Sequence, residues 1–246
     1  MPKRRADETV RLASAVNEKR RQAQRTPGSN PNPRQEVVQI DDSSPTSGSF
    51  NVWIIGSSII SGAYQRLCSR PDGVNLGLRK TIGGNLVWEH MGGMKIEDLE
   101  QSIAYLTSFK QNDPPTYILI HCGGNDIGLK TSAAIIADLK IIIDNIRSKF
   151  PYTKIIWSQI LPRRSWRYMP DVYHADRARK RINSSIATYV INGGGHYLKY
   201  PDITLAPMFF RYDDTHLSPT GYDLMLNSIS GAIYSFRKLN SPIFPM

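Results

Sequence analysis

From residue 50 onward, short apolar runs alternate with segments whose apolar residues recur every three or four positions. Residues 52–55 predict a buried strand, after which Ile59, Ile60, Ala63, Tyr64 and Leu67 share one face of a helix. The pairing repeats: 85–90 reads as a strand, and Ile96, Leu99, Ile103 and Leu106 then line a helix face. Residues 116–121 predict a third strand followed by a helix over 132–150, and 154–158 a fourth followed by a helix over 176–191. A run at 196–199 predicts a fifth strand. The last helix starts at Ser218 as N-cap with Pro219 at its first position, and aligns Tyr222, Met225, Leu226, Ile229 and Ile233. This α/β alternation predicts a parallel sheet with helices on both faces, because parallel neighbours can be joined only by crossovers.

Residues 1–49 break the pattern. Residues 26–49 are rich in Pro, Ser, Gly and Asn, the composition of a linker, and 7–24 would form at most a polar helix with nothing to pack on. The expected organisation is a disordered basic tail and linker over 1–49 and one domain over 50–246. Apolar residues at 40% and charged residues at 21% exclude full disorder and coiled coil. The net charge of +10 has two sources, since residues 50–246 hold 22 of the 31 basic residues and 15 of the 21 acidic ones. Two cysteines exclude a disulfide framework and a Cys-rich zinc site. No apolar run approaches the roughly 20 residues of a membrane span. The first residues lack the apolar stretch of a signal peptide, so an intracellular setting, cytoplasmic or nuclear, is expected. Basic clusters at 2–5 and 18–21 fit nuclear import signals or phosphate-contacting arms. Val37, Val38 and Ile40, followed by acids and serines, resemble a SUMO-interacting motif, in which a short segment adds a strand to a sheet edge.

Function in such a sheet gathers beyond the carboxyl ends of the strands, and three of those ends carry small or polar motifs. Ser58 follows the first strand at a helix N-terminus, where its hydroxyl is exposed and its own N–H is an orphan donor. Gly93 supplies a second backbone N–H where a Cβ would obstruct a substrate, and Asn125 supplies a side-chain amide on a third strand end. Three such donors can hold the negative oxygen of a tetrahedral intermediate. A base stands in the run Asp213-Asp214-Thr215-His216, where an acid three residues before a histidine can bond Nδ1–H and leave Nε2 for a serine.

Gly56-x-Ser58, Gly93, Gly123-Gly124-Asn125-Asp126 and Asp213-x-x-His216, in that order, resemble the four blocks of the SGNH (GDSL-type) hydrolase superfamily over about residues 50–236. The resemblance implies a flavodoxin-like three-layer α/β/α sandwich, here with five parallel strands, and metal-free, cofactor-free hydrolysis of an acyl ester, acetyl or lipid. It assigns Ser58 as nucleophile and oxyanion donor, Gly93 and Asn125 as the other donors, His216 as base and Asp213 as its orienting acid. Ser57 stands where the family usually has Asp. Gly84 rivals Gly93, and Asp214 rivals Asp213. SGNH-like domains with relaxed first blocks also occur in proteins encoded by vertebrate mobile elements, a setting the basic tail would suit.

The stretch from 163 to 181 has seven basic residues against Asp171 and Asp176, with Trp166, Tyr168 and Tyr173 interleaved. Arg163, Arg164 and Arg167 follow the fourth strand and are candidate contacts for nucleic acid or another polyanion. The alternative to an esterase is therefore an idle scaffold that binds nucleic acid or serves as an adaptor. Trp53, Trp88 and Trp157 fall in strands and read as core, whereas Trp166 reads as exposed. His121 and Cys122 read as packed groups, and His90, His174 and His196 have no partner at metal-ligand spacing. Loops 71–84 and 162–173 are expected to select the substrate.

Overall fold

The computed structural model describes residues 48–110 and 113–246. The tail, and with it Val37, Val38 and Ile40, lies outside the described residues. Strands β1 (Phe50–Gly56), β2 (Gly84–His90), β3 (Tyr117–His121), β4 (Lys154–Ser158), β5 (His196–Leu198) and β6 (Ile243–Phe244) form one sheet in the order β2-β1-β3-β4-β5-β6, every pair parallel. The sheet thus has six strands rather than the expected five. Strand β6 is two residues between Pro242 and Pro245, too short to show periodicity, and it extends the sheet beside β5.

Helices α1 (Ser58–Leu67), α2 (Leu78–Ile82), α3 (Leu99–Phe109), α4 (Ser132–Lys149), α5 (Val172–Asn192) and α6 (Pro219–Leu239) supply the connections. Alternate residues of β1 feed opposite cores. Val52 and Ile54 pack with α1 and α6 residues such as Ile59, Leu67, Met225 and Phe236, while Trp53 and Ile55 pack with Leu99, Ile103, Ile143 and Ile186 of α3, α4 and α5. Each such fully buried aliphatic side chain stabilises the fold by about 2 kcal/mol. Helix α5 begins four residues before its expected start. Asp171 accepts from the His174 N–H at 3.0 Å and caps a polar first turn that has no apolar periodicity.

The chain runs from β1 outward to β2, then returns across β1 to β3 and continues the other way. The crevice at such a reversal opens beyond the carboxyl ends of β1 and β3. Gly56 is in register with both His90 and His121, so the three strand ends finish level under that crevice. The loop before β2 lies elsewhere. Gly84 pairs with Phe50 at the opposite end of the strands, and the Asn75 side chain and Val74 carbonyl accept from the Leu86 N–H and Trp88 Nε1–H. Loop 71–84 therefore covers the open edge of β2.

Candidate active site

Between β1 and α1 a single residue, Ser57, makes the turn. Its N–H donates to the His121 carbonyl at 3.4 Å and its carbonyl accepts from Ser61 N–H at 3.1 Å, so backbone bonds brace the turn. Gly56 is required: a Cβ there would lie 2.6 Å from the His121 carbonyl oxygen. Ser58 is the first residue of α1, where the helix leaves its N–H groups without intrahelical acceptors.

His216 reaches Ser58 from the other end of the chain, with Nε2 2.9 Å from Oγ, and its Nδ1 lies 2.7 Å from Asp213 Oδ2. Asp213 Oδ1 also accepts the backbone N–H groups of Thr215 (3.0 Å) and His216 (2.9 Å). Partial burial pushes the Asp213 carboxyl upward, but those N–H donors and the imidazole outweigh it and hold the pKa at about 2. An ionised carboxylate only accepts, so the shared proton belongs on Nδ1 and Nε2 is left to accept from the Ser58 hydroxyl. The turn is closed by Asp214 N–H to the Arg211 carbonyl (2.9 Å) and Arg211 N–H to the His216 carbonyl (2.8 Å). Asp214 itself has a left-handed φ of 56° and turns its carboxylate to Arg164, 3.3 Å away, which separates it from the imidazole.

Gly93 sits past the end of β2 on the crevice side, whereas its rival Gly84 starts that strand at the far edge. Its glycine is demanded by a φ of 74°, and the direction of a Cβ is open space rather than a crowded contact. Two bonds tie the Gly93 loop to the end of β3. Asn125 Nδ2 donates to the Met94 carbonyl at 3.0 Å, and the buried Asp126 carboxylate accepts the Ile96 N–H at 3.3 Å. Burial raises the Asp126 carboxyl to about 6 against the pull of that N–H.

Arg163 is 6% exposed. Its Nη1 lies 3.3 Å from Asn125 Oδ1 and 3.5 Å from the Gly124 carbonyl, and the guanidinium stands over the Trp166 ring at 5.0 Å. Arg163, a candidate anion contact, is thus buried with its guanidinium turned toward Asn125 rather than solvated. Burial lowers its pKa to about 10, so it remains charged at neutral pH. Trp166 is 4% exposed, contrary to its sequence context, because the arginine beside it is buried with it. Arg164 pairs with Asp214, while Arg167 is exposed and lies over the Tyr168 ring at 5.3 Å.

Sequence reasoning grouped Ser58, Gly93, Asn125, Asp213 and His216; Ser58 is the first residue of α1 and the other four lie on loops. It read Arg163 only as a candidate anion contact in the loop after the fourth strand and did not connect it with Asn125. His121 is buried as expected and bonds Ser158 at 3.0 Å, and burial pushes its pKa down to about 3. Among the described residues no group of three or more His, Cys, Asp or Glu could hold a metal ion, and no helix is long and apolar enough to cross a membrane.

A sequence profile of the GDSL-like Lipase/Acylhydrolase family matches residues 54–224, which takes in all four motif blocks. The chain belongs to this family. No curated protein matches the chain by sequence. Solved structures of the family share its fold at low identity. A member of the lipolytic protein G-D-S-L family from Veillonella parvula is 18% identical, with a TM-score of 0.59 over 76% of this chain and 98% of its own. A GDSL-like lipase from Bacteroides thetaiotaomicron is 18% identical, with a TM-score of 0.57 over 75% of this chain and 88% of its own. An acetyl esterase mutant solved with acetate ion is also 18% identical, with a TM-score of 0.55 over 78% of this chain and all of its own.

Proposed function

We propose that the protein is a serine esterase that hydrolyses an acyl ester, acetyl or lipid, through Ser58, His216 and Asp213. The single observation that supports this most is the continuous hydrogen-bonded line from Ser58 Oγ through the His216 ring to Asp213 (2.9 and 2.7 Å). Ser58 Oγ adds to the acyl carbon while its proton passes to His216 Nε2. The carbonyl oxygen takes the negative charge, facing the N–H groups of Ser58 and Gly93 and the second N–H of Asn125 Nδ2. Collapse expels the alcohol, which takes the proton from Nε2, and leaves acyl-Ser58. Water then gives a proton to His216 as its oxygen adds to the acyl carbon. The second collapse returns the proton to Ser58 Oγ and releases the acid.

Labelling with a fluorophosphonate probe tests the assignment. Wild type is expected to react at Ser58 and Ser58→Ala to remain unlabelled; equal labelling of the two would reject it.

A second reading, of a basic surface that binds a polyanion, draws on Arg167, Arg177 and Arg181, none of which has an ion pair among the described residues. Arg181 and Lys140 line an open groove of about 490 Å³ between α4 and α5. Neutralising the three arginines is expected to weaken binding to single-stranded nucleic acid and to reduce its dependence on salt. Binding indifferent to salt would remove this reading.

A further inference from the structure

The guanidinium of Arg163 is a buried cation at the crevice that the acyl-transfer scheme leaves without a task. It has no carboxylate within ion-pair distance among the described residues. Its partners are instead the Asn125 amide oxygen (3.3 Å), the Gly124 carbonyl (3.5 Å) and the Trp166 ring. The chain is shaped to admit it: a Cβ on Gly124 would stand 2.7 Å from Nη2. The Asp213 carboxylate favours the charge from beyond ion-pair distance, but the atoms in direct contact with it are neutral; burying a charge this way is costly, and a position serving packing alone would be filled better by an apolar side chain.

We infer that Arg163 is a positioning residue of the oxyanion hole, fixing the Asn125 amide so that its Nδ2 faces the developing oxyanion. The inference rests on the reading of Asn125 as an oxyanion donor. The chemistry follows from donor and acceptor counts. Arginine has five N–H donors and no acceptor, so only the oxygen of the Asn125 amide can face it. Nδ2 must then point the opposite way, where the Met94 carbonyl takes one of its two hydrogens at 3.0 Å and the other remains for the oxyanion. A flipped amide would instead aim an acceptor at a developing negative charge. The buried positive charge beside Oδ1 also draws electron density from the amide and strengthens its N–H as a donor.

Arg163 is joined to the other half of the site as well. The next two backbone N–H groups, of Arg164 and Ser165, both donate to the Asp214 carbonyl (2.9 and 3.0 Å), and Thr215 Oγ1 donates to the Ser165 carbonyl at 3.0 Å. The segment that orients the Asn125 amide therefore also holds the turn that carries Asp213 and His216.

The test is a double-mutant cycle on p-nitrophenyl acetate hydrolysis, with Ser58→Ala as the blank. Arg163→Met is expected to lower kcat by about tenfold to a hundredfold with KM changed by less than about twofold. Asn125→Ala alone should cost about 10²- to 10³-fold. Adding Arg163→Met to Asn125→Ala should then cost less than about twofold more, because the amide through which Arg163 acts is gone. If Arg163→Met folds poorly, Arg163→Lys, which keeps a buried charge but lacks the fork, goes through the same cycle and should fall between wild type and Asn125→Ala. Losses that multiply in the double variant, or no loss in either Arg163 variant, would overturn the assignment while leaving the esterase reading intact. Hydrolysis by Ser58→Ala as fast as wild type would overturn the esterase reading, and the assignment with it.

Discussion

Tyr222 of α6 sets its hydroxyl against Gly62 of α1 so closely that a Cβ on the glycine would overlap the phenol. The two helices carry the two halves of the proposed catalytic pair. Ser58 opens α1, and His216 lies three residues before the first residue of α6, so the separation of the helices sets the approach of base to nucleophile.

Gly62→Ala should force the helices apart. Overpacking of this kind costs about 1–3 kcal/mol, which lowers the melting temperature of a domain this size by on the order of 5 °C. A fall in kcat larger than the fall in folded fraction is expected, measured on the same preparation by ester hydrolysis and thermal melting. An unchanged melting temperature would mean that Tyr222 is free to move.

Asp213→Asn tests the tautomer argument. An amide in place of the acceptor-only carboxylate can donate to Nδ1, which then places the histidine proton on Nε2, where it cannot accept from Ser58. Ester hydrolysis should fall by about 10²- to 10⁴-fold with the fold intact by circular dichroism. Asp214→Asn should leave the rate within about threefold, since that carboxylate faces Arg164.

Asp126 gives the protein a pH signature. Its carboxyl is raised from 3.8 to about 6 by burial, so between those values the unfolded chain has lost a proton that the folded chain keeps. Stability from this group is greatest below about pH 4 and declines as pH rises to about 6. Asp126→Asn abolishes the titration. Its melting temperature should therefore gain on that of wild type as pH rises through this window, and a difference independent of pH would show that the carboxyl is not shifted.

His121 acts in the opposite sense. Burial lowers its pKa from 6.5 to about 3, so in acid the unfolded chain takes up a proton that the folded chain refuses. Its contribution is fully present above about pH 6.5 and is lost as pH falls toward 3. His121→Gln should flatten that part of the acid unfolding curve, read by denaturant midpoints at stepped pH. A slope equal to wild type would place the acid sensitivity elsewhere.

Ser58, Gly93 and Asn125 stood out as candidates because each lies where a β-prone run meets glycine, serine or asparagine, and Asp213 and His216 because an acid stands three residues before a histidine. The choice between Gly93 and Gly84 was less secure in one dimension and becomes plain once register places them at opposite ends of β2. Arg163 and Trp166 were misplaced for a shared reason. A run of arginines reads as solvated, and nothing in its order reveals that one of them turns inward to a backbone carbonyl and an amide contributed by another strand end, with the indole beside it following. Strand β6 and helix α2 were invisible because two and five residues cannot display a period.

The double attachment of the loop after β4 bears on how members of this fold can diversify. Loop 71–84 guards a sheet edge, so variation in acyl or alcohol preference falls more heavily on the segment from 162 to 173. Here that segment also bonds both the Asn125 amide and the turn that carries His216, and a graft that swaps it is expected to unseat both. Retuning the proposed esterase by loop exchange should therefore succeed only when Arg163 to Trp166 is kept and the exchange begins at Arg167.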